Sequence, residues 1–354
     1  MLVTRQKILR RFWYPVLPVS RLADGPQPFT LLGERLVLWT DAAGQPAALA
    51  DRCCHRTAQL SKGWVGEQGL VCGYHGWTFD GQGRCVRIPQ SEGRQVPASA
   101  CVPAYACSER YGYVWVCLDE PLDAIPEFPE AQDPAFRQID EFYEPWRCAG
   151  LRVMENSFDN AHFSFVHRSS FGRYEDPLPA SLRIEPFDSG FHMFTEVPVK
   201  NPEIQKKLLG TARDETVRYM DSTWYRPFCR RLRIRYPEGL VHTIITCATP
   251  TDDQHSMIVQ FAYRNDSEKD APTADIIAFD RLVTEEDRQI LESTEFDVPL
   301  DPARKREVNM PSDRPGVLMR RMLLELLHAH GETEIHAGLL TEREEQFPGR
   351  PACR

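Results

Sequence analysis

The 354-residue chain has no run of eighteen apolar residues, and its opening stretch, MLVTRQKILRRFWYPV, lacks the apolar core of a secretory signal. Both absences lead to the expectation of a soluble, cytoplasmic protein with no membrane attachment. Cations are also in short supply: Lys and Arg total 42 against 51 Asp and Glu, a formal net charge of -9. A nucleic-acid partner needs clustered cations, so none is expected. The short basic pairs Arg230-Arg231 and Arg320-Arg321 read as solvated faces or interface contacts. Internal repeats, low-complexity tracts and a Gly-x-Gly-x-x-Gly fingerprint are missing too, so a dinucleotide could act only through another protein. Without a secretory signal, the eleven cysteines read as reduced thiols and metal ligands rather than a disulfide framework.

What is present is enough apolar sequence, 42% of residues, to bury a core and support two domains. From Pro28 to Leu118, short apolar runs alternate with turn signals such as Asp80-Gly81-Gln82-Gly83, which predicts a small all-β module. The segment Pro121–Pro134, with its four prolines, reads as a linker, and the expected division is 1–130 and 131–354. Beyond it, Met154–Val166 has the pattern of a helix. Leu182–Val197, Thr216–Tyr225, Leu232–Pro250 and Ser256–Arg264 alternate like strands of one antiparallel sheet. Helices are expected over 274–294 and 315–329, the second with an apolar face of Val317, Leu318, Met322, Leu326 and Leu327. The expected fold class is α+β, an all-β domain followed by an antiparallel sheet with helices.

Two constellations carry chemistry. The first, inside the β module, is Cys53-x-His55, then sixteen residues, then Cys72-x-x-His75. A Rieske [2Fe-2S] cluster needs two thiolates on one iron and two imidazoles on the other, and two loops that each offer one Cys and one His supply that set. Gly63 and Gly76, after the ligand pairs, would let the loops approach closely. Zinc is the competing occupant, since four Cys and His ligands at short spacing also describe zinc fingers; the Cys-x-His order is unusual for zinc. Cys54 reads as a small buried hydrophobe, with a redox-sensitive thiol as the alternative.

This segment resembles the Rieske domain of aromatic ring-hydroxylating oxygenase α subunits, departing from it in having Cys54 where the family generally has Pro. Ala58 and Tyr74 stand where respiratory Rieske proteins place disulfide-forming cysteines, so the likeness is to the oxygenase and ferredoxin type.

The second constellation, MENSFDNAHFSFVH, contains Glu155, Asp159, His162 and His167. On a helix, Asp159 and His162 lie one turn apart on one face, and His167 follows where the helix bends or ends, so both imidazoles could converge on one metal. A lone histidine on such a helix is more often a satisfied core residue. The motif also resembles the catalytic domain of the same oxygenase family, and that resemblance implies iron binding by His162 and His167. It further implies that Asp159 bridges His162 to His75 of a neighbouring subunit in a homotrimer, that Asn156 lies beside the iron, and that a downstream carboxylate completes the set. The matching stretch is EEDRQILES, which points to Asp287. That residue puts a charge on the apolar stripe of its helix, where iron would be a partner. Glu286 is the runner-up. Asp280 and Asp297 are weaker candidates, with surface solvation the simpler reading.

The closing PSDRPGVLMRR resembles monooxygenase-type members such as vanillate and dicamba demethylases, with a weaker likeness to saxitoxin-tailoring oxygenases. The resemblance implies a terminal oxygenase component with a Rieske cluster and mononuclear Fe(II). It would use O2 and electrons from an NAD(P)H-dependent ferredoxin or flavin-containing reductase to hydroxylate or demethylate a small organic substrate. A cis-dihydroxylating dioxygenase is the alternative chemistry, and a Rieske electron-transfer protein without bound mononuclear iron is the alternative class. Phe158, Phe163, Phe171, Tyr219, Trp224 and Thr246 are candidates for the cavity wall, each also compatible with ordinary packing.

Overall fold

The computed structural model describes residues 1–91, 94–304 and 306–337. Ten strands precede residue 120: β1 (Tyr14–Pro18), β2 (Gln27–Leu31), β3 (Glu34–Thr40), β4 (Pro46–Ala50), β5 (Trp64–Gly66), β6 (Gly69–Val71), β7 (Thr78–Phe79), β8 (Cys85–Arg87), β9 (Ala104–Arg110) and β10 (Tyr113–Cys117). They form a six-stranded sheet of order β1-β10-β9-β4-β3-β2 and a four-stranded sheet of order β5-β6-β7-β8. The apolar side chains of β3 and β4 and those of the small sheet share one core, with Trp39, Leu49, Leu70 and Phe79 fully enclosed.

The second half builds one antiparallel sheet of order β11-β17-β16-β15-β14-β13-β12. Its strands are β11 (Arg137–Trp146), β12 (Leu182–Phe187), β13 (Gly190–Lys200), β14 (Glu215–Tyr225), β15 (Cys229–Arg235), β16 (Val241–Pro250) and β17 (Ser256–Arg264). Five helices accompany it among the described residues: α1 (Gly150–Ser157), α2 (Phe163–Val166), α3 (Glu203–Leu209), α4 (Thr273–Leu291) and α5 (Arg314–Ala329). The α+β class is as expected. Two of the expected strands are hairpins instead, turning at Asp188-Ser189 and at Pro237-Glu238-Gly239, where Gly239 takes φ +92°. Strand β11 was hidden from sequence reading by its charges; it pairs along its length with β17.

The expected helix over 154–166 is two helices. Phe158 leaves helical geometry, and the Asp159 carboxylate accepts the Ala161 N–H at 2.7 Å. Such a side-chain bond competes with the backbone ladder and opens the chain between α1 and α2. In α5 the buried stripe is Met319, Leu323, Leu326 and Leu327, so Val317, Leu318 and Met322 sit at its edge rather than its centre.

Pro121–Pro134 is no loose linker. Ile125 and Phe128 are buried with Tyr113, Trp115 and Phe261 in a cluster spanning both halves. Burying each such side chain contributes on the order of 1.5–3 kcal/mol. Glu130 lies beneath, ion-paired to Arg231 and accepting from Thr243 at 3.0 Å. Both basic pairs are corrected by these partners. Arg231 is buried on Glu130, and Arg320 is buried against Glu155 and Glu307; of the four arginines only Arg321 is exposed. The Asp297 side chain is buried too, accepting from the Met1 ammonium at 2.6 Å and paired with His336 at 2.8 Å. No helix among the described residues is long and apolar enough to cross a membrane.

Candidate metal centres and active site

Cys53 and Cys72 open two loops of the same construction. In each, the cysteine N–H donates to the carbonyl five residues on (Ala58, Trp77; both 2.8 Å), and its carbonyl accepts from the residue four on (Thr57, 2.9 Å; Gly76, 3.0 Å). That fourth residue is left-handed in both, with φ +59° at Thr57 and +72° at Gly76. Gly76 therefore serves its own turn rather than the approach between loops. The approach belongs to Gly63 and Gly73: a Cβ on Gly63 would stand 1.8 Å from the Val71 carbonyl oxygen, and one on Gly73 would stand 2.8 Å from that of Lys62. Asp51 pins the first loop by accepting the Ser61 N–H and Oγ–H, each at 2.7 Å.

The four candidate ligand side chains meet at the loop tips. Both cysteines are buried and adjacent, while the His55 and His75 rings sit 4.6 Å apart, half-buried at the surface. His55 lies flat on Trp77 at 4.5 Å, and its Nδ1 is buried without a partner. Burial pushes the Cys53 thiol up to about 11, and the Cys72 thiol beside it adds to the rise against a hydrogen bond from the His55 backbone. Two buried neighbouring thiols ionise together only against a metal-borne charge, and with the two half-buried imidazoles they offer the donor types that a Rieske cluster takes. Cys54 is half-buried against the same apolar core, and burial raises its thiol.

The second centre is built from the broken helix and α4. Nε2 of His162 lies 3.2 Å from Nε2 of His167, and Oδ1 of Asp287 lies 3.5 and 3.3 Å from the two. With metal bonds of about 2.1 Å, these separations correspond to one face of a coordination sphere, the 2-His-1-carboxylate arrangement with other positions open. Asp287 Oδ1 is buried and has no hydrogen-bond donor, as a metal ligand requires. Burial would raise Asp287, but the His167 imidazole facing it at 3.3 Å, with help from His162 and Asn156, holds it below its usual value.

Each imidazole has a carboxylate on its far nitrogen. Asp159 Oδ2 is 3.2 Å from His162 Nδ1, and Glu286 Oε2 is 2.9 Å from His167 Nδ1. Glu286 also accepts from Ser169 and from Ser170, the latter at 2.7 Å. Glu286 thus faces away from the point where the three donor atoms converge, and its place is behind His167. Asn156 borders the same cavity as Asp287 and helps to hold its carboxyl down. Glu155, the remaining acid of the motif, is tied to Arg320 and, at 3.0 Å, to Arg152.

His162, His167 and Asp287 border a cavity of about 110 Å³ between α4 and the sheet. Its wall follows the two-residue period of the strands: Leu232 and Ile234 on β15, Ile244 and Thr246 on β16, Ile258 and Gln260 on β17. Phe163, Phe171 and Thr246 line it as expected. Phe158 and Trp224 belong instead to the main core, and Tyr219 stands 36% exposed on β14. Asp280 is not a solvated surface acid: it is 7% exposed and faces this cavity, as do His242, Arg218 and Arg230. Burial pulls Arg230 down to about 10, opposed by Asp287, so it stays charged at neutral pH. Sequence reading missed His242, Arg218 and Arg230. The available signal was their alternation with apolar residues on strands β14 to β16, which read as ordinary sheet patterning.

Residues 12–106 match the Rieske [2Fe-2S] domain family, and residues 146–329 match the vanillate O-demethylase oxygenase C-terminal domain family. Among characterised proteins, the chain is 30% identical over 338 residues to methylxanthine N1-demethylase NdmA of Pseudomonas putida, covering 92% of each chain. It is 31% identical over 338 residues to the N3-demethylase NdmB of the same organism, covering 90% of this chain and 89% of that one. The structure of Pseudomonas putida NdmA with caffeine superposes with a TM-score of 0.80 at 30% identity, over 93% of this chain and 94% of the other. With the candidate ligands of both centres brought together and both halves matched, the chain belongs to the Rieske oxygenase family and is an oxidoreductase of its monooxygenase and demethylase type.

Proposed function

We propose that this chain hydroxylates or oxidatively demethylates a small organic substrate, aromatic compounds included. It would use O2 and electrons that a separate ferredoxin or flavin-containing reductase draws from NAD(P)H. The observation that carries this reading is the convergence of His162 Nε2, His167 Nε2 and the donor-free Asp287 Oδ1 at the border of a largely apolar cavity. In this reading Cys53, Cys72, His55 and His75 hold a Rieske cluster within residues 1–130, and His162, His167 and Asp287 hold iron within 131–354. Bound there, the cluster supplies single electrons and the iron supplies O2 activation.

The protein's own groups set the conditions. Asp159 and Glu286 accept the Nδ1–H of the two histidines, which fixes each ring and turns its Nε2 lone pair to the metal. Asn156 steadies Asp287, and the apolar wall excludes water while the substrate is held. Where the oxidised carbon is a methyl on nitrogen or oxygen, insertion of one oxygen atom gives a carbinol that collapses with loss of formaldehyde. The demethylase relatives support that outcome.

His75 touches His55, Tyr74 and Gln90 within its own chain, and Asp159 touches His162 and Ala161. Tyr74 is 64% exposed beside His75, and Asp159 borders an outer cleft. We assign these two edges to each other in different copies of a cytoplasmic homotrimer, with His75 of one copy reaching Asp159 of the next.

The test is iron and acid-labile sulfide per chain in anaerobically purified protein, with EPR after dithionite reduction, for wild type and His162→Ala. About three irons and two sulfides, a Rieske signal, and loss of one iron in the variant support the reading. Two irons unaffected by the substitution would leave an electron-transfer protein, and zinc alone would remove both.

A further inference from the structure

The cavity has a second polar end. Asp280 and Asp287 are seven residues apart on α4, which places them on one helix face about 10 Å apart. Around Asp280 stand His242 and Arg218, which are 4% and 7% exposed and border the same cavity. His242 Nε2 is 3.4 Å from Asp280 Oδ2, yet both atoms are buried without a hydrogen-bond partner, as is Arg218 Nε. Buried polar atoms left unpaired are costly, so a group of them facing a cavity is built for something that enters it.

A chain of hydrogen bonds runs across the sheet to this end. Arg230 donates to Thr246 at 3.3 Å, Thr246 to Gln260 at 2.8 Å, and Gln260 to Glu141 at 2.8 Å. Glu141 occupies a β-bulge between Asp140 and Phe142, which turns its carboxyl inward toward Asp280. The Glu141 and Asp280 carboxyl oxygens lie within 4.8 Å of each other, and two buried carboxyls this close share one negative charge; burial raises both, and their closeness raises Glu141 further. Burial also pushes His242 well down, with Arg264 and Arg218 adding to the effect, and leaves it neutral.

Around Asp280 the charges then cancel, and the Arg230 charge faces that of Asp287. Arg264 is paired with Asp266, and the single negative charge of the Glu141–Asp280 pair faces Arg218, whose guanidinium lies 4.1 Å over the Phe171 ring and makes no ion pair among the described residues. Glu141, His242 and Asp280 bring their donor atoms within 4.8 Å of one another, as a metal site would. A divalent cation there would stand beside two arginines, which argues for an organic occupant.

Resting on the oxygenase reading above, we infer that Asp280, His242 and Arg218 form a polar anchor. It selects an uncharged heterocycle whose ring N–H and adjacent C=O they bind, with the oxidised carbon held toward His162, His167 and Asp287. Asp280 accepts the ligand N–H, and Arg218 and His242 donate to its carbonyl. A charged ligand would leave an uncompensated buried charge at an end that is already balanced.

The test is calorimetric binding to the purified protein with its metals in place, using four probes. They are 1-methyluracil, 1,3-dimethyluracil (whose ring N–H is blocked), 4-methoxybenzoate and protonated N-methylbenzylamine. Expected are measurable binding of 1-methyluracil and weakening by about tenfold or more for each of the other three. In Asp280→Leu the difference between the two uracils should vanish, which a merely structural role for Asp280 would not produce. The wild-type comparison decides even where the variant does not fold. No binding of 1-methyluracil, equal binding of the two uracils, or tighter binding of a charged probe by wild type with about three irons overturns the anchor alone. Wild type without the mononuclear iron overturns the oxygenase reading and the anchor with it.

Discussion

Glu286 Oε2 lies 2.9 Å from Nδ1 of His167, while the next residue, Asp287, faces Nε2 of the same ring at 3.3 Å. Two consecutive carboxylates of α4 therefore grip one imidazole from both sides. Burial raises Glu286, but hydrogen bonds from His167, Ser169 and Ser170 outweigh it and hold the acid below its ordinary value. An anionic Glu286 draws the ring proton to Nδ1 and leaves the Nε2 lone pair free, as the proposed metal binding requires.

Glu286→Gln should accordingly lower affinity for mononuclear iron by about 10–100-fold, since the amide holds the ring without the charge. The check is ferrous-iron titration of chelator-treated protein with the Rieske EPR signal as internal control. A fall in both centres together would mean general unfolding, and unchanged iron affinity would remove the orienting role.

Glu130 gives a prediction in pH. Burial raises its carboxyl, but the Arg231 guanidinium, with Thr243 assisting, carries it below the ordinary 4.5. With a folded value below the unfolded one, the pair's stabilisation is complete above about pH 5 and is lost as pH falls through the folded value. Thermal melts from pH 7 to 3 should show wild type losing stability faster than Glu130→Gln on the acid side, the two curves converging. At neutral pH, Glu130→Ala should cost about 3–5 kcal/mol, because Arg231 is left buried without its counter-charge. Parallel acid limbs would show that this pair does not report on pH.

Much of this was legible in sequence for a physical reason: the Cys53, His55, Cys72 and His75 spacings encode local loops, and local geometry survives whatever packs around it. His162 and His167 were legible likewise, although their helix breaks. The polar end of the cavity was not. Glu141, His242 and Asp280 come from β11, β16 and α4, and only strand pairing brings them together, the β11 bulge included. Glu286 was visible but ambiguous, because neighbouring acids on a helix differ in role only through which nitrogen of a distant histidine each meets. Asp280 and Asp297 looked like surface acids because nothing near them in sequence announces the groups that bury them.

The cluster loops offer a test of backbone rather than charge. Gly63 has no room for a Cβ, whose nearest neighbour would be the Val71 carbonyl oxygen at 1.8 Å, and that oxygen belongs to strand β6, leading directly into Cys72. Gly63→Ala must therefore push the second loop away from the first and separate the cysteine of one from that of the other. Gly81 is the matched control: a Cβ there would meet Ala47 and Asp41 at an ordinary 3.7 Å, and it has no left-handed φ. Gly63→Ala should purify with acid-labile sulfide well below wild type and a weak or missing Rieske signal. Its far-UV circular dichroism should stay near wild type, because the seven-stranded sheet does not depend on that contact. Gly81→Ala should keep full sulfide content. A fully loaded cluster in Gly63→Ala would show that the two loops do not need their close approach to assemble it.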